Sequence, residues 1–109
     1  MEYLTLQELC GLAGVTRRAV QGYEKAGLVS AAGKNKRGHL LYAVGTQDRI
    51  RQIRLLQRIG FSIREIGELM ELPVDAFQMK VKERTEMLME KKAEIDRLIL
   101  EAARLMEKM

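Results

Sequence analysis

The last third of the chain, from Asp75 to Met109, contains neither glycine nor proline, and an apolar residue returns every seventh position at Val81, Leu88, Ile95, Ala102 and Met109. Phe77, Leu98 and Leu105 fill the companion heptad position, which Arg84 and Lys91 interrupt midway. This period predicts one long helix with a narrow apolar seam. About 33 helical residues rise roughly 50 Å, more than a small domain can cover. A seam of that length on an isolated helix would leave its side chains in water, so the expected state is a homodimer joined through a coiled coil. Its interface would use Phe77, Val81, Leu88, Ile95, Leu98, Ala102 and Leu105. The competing arrangement folds the helix back on its own domain.

Only about 70 residues then remain for a compact unit, which is room for one small domain. Thr5-Leu6-Gln7-Glu8 has the form of a capping box, and the apolar stripe Leu6, Leu9, Cys10 and Ala13 follows it up to Gly14. Thr16 is a second N-cap, opening a helix with Ala19, Val20 and Tyr23 on one side and Gly27 beyond its end. Leu28-Val29 and His39 to Val44 have the apolar character of short strands. The segment between them, Ala31 to Gly38, has the glycines and asparagine of a hairpin tip and only positive charges, and so is expected to form a basic wing. Thr46 is expected to cap a third helix running to Ile59, with Ile50, Ile53 and Leu56 inward. Ser62-Ile63-Arg64-Glu65 is another capping box, for a fourth helix ending near Leu72, and Pro73 marks the boundary.

Charge sharpens this picture. Between Val15 and Arg58 ten lysines and arginines face two acids, Glu24 and Asp48, whereas from Pro73 onward eight basic residues meet eight acidic ones. A stretch of net +8 beside a balanced one is the electrostatic footprint of a phosphate-binding surface next to a solvated, self-associating segment. Enzyme chemistry finds little support: there is one histidine, His39, one cysteine, Cys10, and no Walker loop, G-x-S-x-G or H-E-x-x-H. No disulfide, metal site or cofactor is expected, and Cys10 is expected in the core at a tight helix crossing. With no apolar run long enough for a membrane span and no signal-peptide layout at Met1 to Thr5, the expected location is the cytoplasm.

Two short helices about a glycine turn, followed by a wing, suggest a mainly α, winged helix-turn-helix. Four helices and a small β-hairpin would make up residues 1–72, and the coiled-coil helix residues 75–109. In such a fold the second helix enters the major groove, here with Arg17, Arg18, Gln21 and Lys25 outward. His39, at the wing's edge, is either a phosphate donor or a solvated surface residue.

The run Gly14-Val15-Thr16-Arg17-Arg18-Ala19-Val20-Gln21-Gly22-Tyr23-Glu24-Lys25-Ala26-Gly27-Leu28-Val29 resembles the DNA-binding signature of the MerR family of transcription regulators. Gly38-His39-Leu40-Leu41-Tyr42 and Ile59-Gly60-Phe61-Ser62-Ile63-Arg64-Glu65-Ile66 follow in that family's order, so the resemblance spans about residues 3 to 72. It implies a dimer, joined by an antiparallel coiled coil, that binds a palindromic promoter element in double-stranded DNA. Many members distort that DNA so that RNA polymerase can engage it. Arg18, Tyr23 and Tyr42 match family positions expected near the DNA backbone. Thr16, Arg17, Gln21, Lys34, Lys36, Arg37 and His39 complete the expected contact set. The chain departs from the pattern at Gly22, where a large residue is usual, at Leu40, where the wing usually has an arginine, and at Gln21, where a basic residue is common. No cysteine follows Cys10 and no histidine follows His39, which argues against a metal sensor, and no effector domain is expected. The alternative function is that of chaperone-modulator proteins, which resemble the same fold but bind a co-chaperone instead of DNA. A phage-type excisionase is a third option, and the long heptad helix does not suit it.

Overall fold

A computed structural model describes residues 2–109. The chain divides into two compact units, one up to Glu71 and one from Leu72.

The first unit begins with a strand, β1 (Tyr3–Thr5), that leads directly into helix α1 (Leu6–Ala13). Thr5 ends the strand and caps the helix. Its hydroxyl accepts from the Glu8 amide at 3.2 Å, and the Glu8 carboxylate accepts from the Thr5 amide at 3.0 Å, completing the expected capping box. Gly14, at φ 68°, ends α1 in the left-handed conformation that costs a side chain most and glycine least. Helix α2 (Arg17–Lys25) starts where Thr16 accepts from the Ala19 amide at 3.1 Å.

Strands β2 (Gly33–Lys34) and β3 (Leu40–Ala43) form the wing. Sheet order is β1-β3-β2, both pairs antiparallel, with Leu4 opposite Tyr42 and Lys34 opposite Leu40. The tip is organised by Asn35, whose side-chain oxygen accepts from the amides of Arg37 (2.9 Å) and His39 (3.0 Å). An asparagine bonding its own backbone downstream is a common way to tighten a turn.

Helix α3 (Thr46–Arg58) buries Ile50, Ile53 and Leu56, and α4 (Ile63–Leu69) buries Ile66 and Leu69 behind the predicted Ser62–Glu65 box. Together with Leu9, Val20, Tyr23, Tyr42 and Phe61 these side chains form the core. No buried side-chain polar atom among the described residues lacks a partner.

Leu28 and Val29 form no strand; both are buried in the core from a loop, because an apolar pair records burial and not pairing. The strand that completes the sheet is β1, at Tyr3–Thr5, where no strand is expected from the sequence. Thr46 is the first helical residue and not the cap of α3; Gly45 occupies that position without a side-chain bond. Cys10 is half-buried, while Leu9 and Ala13 of the same stripe are buried.

The second unit is a single helix, α5 (Val74–Glu107), of 34 residues. It follows Pro73, whose ring cannot donate a backbone hydrogen bond and fits a helix start. The helix ends before Met109, so that member of the heptad series lies outside it. None of its residues is buried; Leu88, Ile95, Leu98 and Leu105 are all exposed.

Candidate nucleic-acid interface

Helix α2 is two-faced. Val20 and Tyr23 are buried, and Arg17, Arg18, Gln21 and Lys25 are exposed on the other side, as the sequence requires. Thr16, also exposed, uses a lone pair for the cap and retains its hydroxyl proton for another acceptor. Across the wing, Lys34, Lys36, Arg37 and His39 are exposed from β2 through the tip. The two surfaces meet at a cleft of about 270 Å³ lined by Thr5, Leu6, Gln7, Arg17, His39 and Leu40. Arg17 of the helix and His39 of the wing thus share one recess, a juxtaposition that their separation in sequence conceals.

Tyr23 and Tyr42 are placed differently from expectation. Both rings are core members, and each hydroxyl is already a donor inside the protein: Tyr23 to the Gln57 side-chain oxygen at 2.9 Å, Tyr42 to the Glu24 carboxylate. A phenol has one proton to donate, and a phosphate oxygen only accepts. With these bonds in place the phenol proton of each tyrosine is engaged within the protein. Burial raises the pKa of each hydroxyl; for Tyr42 the bonded Glu24 carboxylate raises it further, while for Tyr23 the charge of Arg54 opposes the rise.

The arginines of α3 show a role that composition could not. Arg49 Nε donates to the Leu28 carbonyl at 2.5 Å, Arg51 to the Leu12 carbonyl at 2.8 Å, and Arg54 to the Gly14 carbonyl at 2.5 Å. Arg51 also pairs with Asp48 at 3.1 Å. Three charges counted toward the basic stretch therefore clasp the turn of the helix-turn-helix and the segment that follows α2. A pattern of arginines on one helix carries no local signal for such distant acceptors.

Two of the three departures from the family pattern, Gly22 and Leu40, are structurally permissive. Gly22 lies on the exposed side of α2, and a Cβ built there meets nothing within 4 Å. Leu40 is exposed beside the cleft. No group of three or more histidine, cysteine, aspartate or glutamate side chains among the described residues is arranged to hold a metal, and none of the described helices is long and apolar enough to cross a membrane.

A helix-turn-helix with an outward cationic second helix and a cationic hairpin beside it defines a winged DNA-binding protein. Comparison with known proteins carries this to a family. The model for the MerR HTH family regulatory protein matches residues 4–72, and the model described as MerR, DNA binding, matches residues 47–109. The chain belongs to the MerR family of DNA-binding transcription regulators. It is 31% identical over 100 residues to the HTH-type transcriptional regulator CueR of Escherichia coli O157:H7, covering 90% of this chain and 72% of CueR. Identity to the nodulation protein NolA of Bradyrhizobium sp. (strain NC92) is 41% over 64 residues, but these are 59% of this chain and only 27% of NolA. The fold is similar to that of MtaN, the N-terminus of the Bacillus subtilis multidrug transporter activator. The TM-score is 0.74 at 25% identity, covering 94% of this chain and 97% of MtaN.

Proposed function

We propose that the protein acts as a homodimer that binds a palindromic promoter element, with residues 1–72 as the DNA-binding domain and 75–109 as the coiled-coil dimerisation helix. Helix α2 lies in the major groove. Arg17 and Arg18 neutralise phosphates, Gln21 reaches a base edge, and Thr16 offers its hydroxyl proton to the backbone. Lys34, Lys36, Arg37 and His39 carry the wing along the adjacent strand, and this lysine-rich tip takes over the charge that Leu40 does not provide. Tyr23 and Tyr42 hold these surfaces in place from within.

The observation that carries this reading is the division of the arginines. Arg49, Arg51 and Arg54 of α3, though exposed, each bond a backbone carbonyl of the scaffold, whereas Arg17, Arg18, Lys34, Lys36 and Arg37 are exposed on two adjoining elements away from it. A co-chaperone-binding module has no need of that surface, and polyanionic DNA does. Dimerisation is supported by Leu88, Ile95, Leu98 and Leu105 of the α5 seam, which are exposed in the single chain. Two copies related by a twofold axis would read two half-sites, and bending of the DNA between them would bring the promoter into a form that RNA polymerase engages.

The test is selection from a random duplex pool followed by binding as salt is raised. A palindromic consensus and a steep loss of affinity with salt are expected. Enrichment of no sequence together with a flat salt response would favour a protein partner instead.

A further inference from the structure

Only two acids lie between Val15 and Arg58. Asp48 pairs with Arg51, within the α3 clasp. Glu24 is harder to account for. It sits on α2, the helix whose exposed side chains include Arg17, Arg18 and Lys25, where a carboxylate opposes any approach to phosphate. Its partner supplies the reason. The hydroxyl that Glu24 accepts belongs to Tyr42, which is 1% exposed and stands in the middle strand of the sheet. Tyr42 is opposite Leu4 of β1 and two residues from Leu40, which pairs with Lys34 of β2. One side-chain hydrogen bond therefore joins the groove-entering helix to the strand from which the wing is hung.

We propose that Glu24 is a positioning residue for DNA recognition: through Tyr42 it fixes the placement of the wing relative to α2, so that both cationic surfaces meet one duplex in one register. Glu24 touches no DNA in this role. A wing set loosely against α2 would still attract phosphate through its lysines, but it would no longer add to the discrimination made by α2, because contacts that position a protein specify sequence only when their register is fixed. This inference rests on the DNA-binding reading above, and its test separates the two.

The measurement is the ratio of affinities for the pool-selected duplex and a scrambled one, with the urea midpoint followed in parallel. Glu24→Ala removes the acceptor and should lower the ratio by about tenfold, the equivalent of one hydrogen bond of ~1.4 kcal/mol. Tyr42→Phe should lower it equally, and the double variant should fall no further than either single one. Glu24→Gln keeps a carbonyl acceptor without the charge. It should hold the ratio near that of the natural protein while binding both duplexes more tightly. Should Glu24→Ala fail to fold, the contrast between Tyr42→Phe and Glu24→Gln carries the test. An unchanged ratio in Glu24→Ala or Tyr42→Phe overturns the inference, as do equal losses in Glu24→Ala and Glu24→Gln, or additive losses in the double variant. A natural protein that selects no duplex from the pool overturns the DNA-binding reading itself.

Discussion

Arg54 holds the turn of the helix-turn-helix: its guanidinium donates at 2.5 Å to the carbonyl of Gly14, the left-handed residue between α1 and α2. Arg51, three residues earlier on α3, does the same for Leu12 at 2.8 Å. Charged donors to backbone carbonyls fix the angle at which α2 leaves α1, and with it the direction of Arg17 and Arg18.

The α3 arginines and those of α2 should therefore separate in experiment. Arg54→Met removes a charged hydrogen bond that is partly open to solvent, and should cost about 1 kcal/mol in urea unfolding. Arg18→Ala should leave stability within about 0.5 kcal/mol. It should, however, reduce the slope of log affinity against log salt by about 1, weakening all duplexes alike. If Arg54→Met flattened the salt slope without affecting stability, the clasp would have been misread as scaffold.

How much of this was legible beforehand follows the range of each interaction. The starts of α1 and α4 were readable because each capping box lies within four residues, Thr5 to Glu8 and Ser62 to Glu65. The cationic face of α2 was readable because helical period alone separates Arg17, Arg18 and Gln21 from Val20 and Tyr23. Strand β1 was not, since three residues carry no periodicity and its partner β3 lies far along the chain. Family resemblance sets Tyr23 and Tyr42 near the DNA backbone, and helical period sets Tyr23 on the apolar side of α2, but neither reveals the hydroxyls' partners. Their acceptors, Gln57 and Glu24, are 34 and 18 residues away, and only the fold brings them near.

Gly22 offers a prediction on stability. It lies inside α2, its conformation is not left-handed, and a Cβ would meet nothing within 4 Å. Glycine in a helix interior costs about 0.5–1 kcal/mol relative to alanine, largely through the freedom of the unfolded chain. Gly22→Ala should raise the urea unfolding free energy by that amount. A loss of stability would show that the helix is not regular at this position.

The buried tyrosines should make stability fall at alkaline pH. Tyr23 and Tyr42 both have pKa values above the ordinary 10.0 of tyrosine, burial being the first cause. Below pH 10 the phenols are protonated whether the chain is folded or not, and stability is unaffected. As pH rises past that value the unfolded chain ionises first, so stability falls until the folded pKa is reached. Unfolding free energy should decline from about pH 10 upward. Tyr42→Phe, which removes one of these groups, should make the decline shallower. An equally steep decline in Tyr42→Phe would assign the effect to other groups.

Helix α5 should pair with a second copy of itself. Its 34 residues rise roughly 51 Å, and no side chain along that length is buried. Leu88 is 38% exposed, Ile95 55% and Leu105 62%. Leucine and isoleucine gain about 1.5–3 kcal/mol each on full burial, so closing the seam against a second copy would recover several times what one such contact gives. The expected sedimentation mass is near twice 12.5 kDa. Leu88→Asp places a charge in the seam, where it would have to be desolvated without a partner, and should raise the dimer dissociation constant at least about a hundredfold. Glu90→Lys, two positions on and outside the seam, should change it less than about threefold. On the proposed binding of two half-sites by a pair of chains, Leu88→Asp should also weaken binding to a palindromic duplex far more than to a single half-site. Equal effects of the two substitutions on the dimer would place the interface on another stripe of the helix, and a monomer at micromolar concentration would remove the coiled coil altogether.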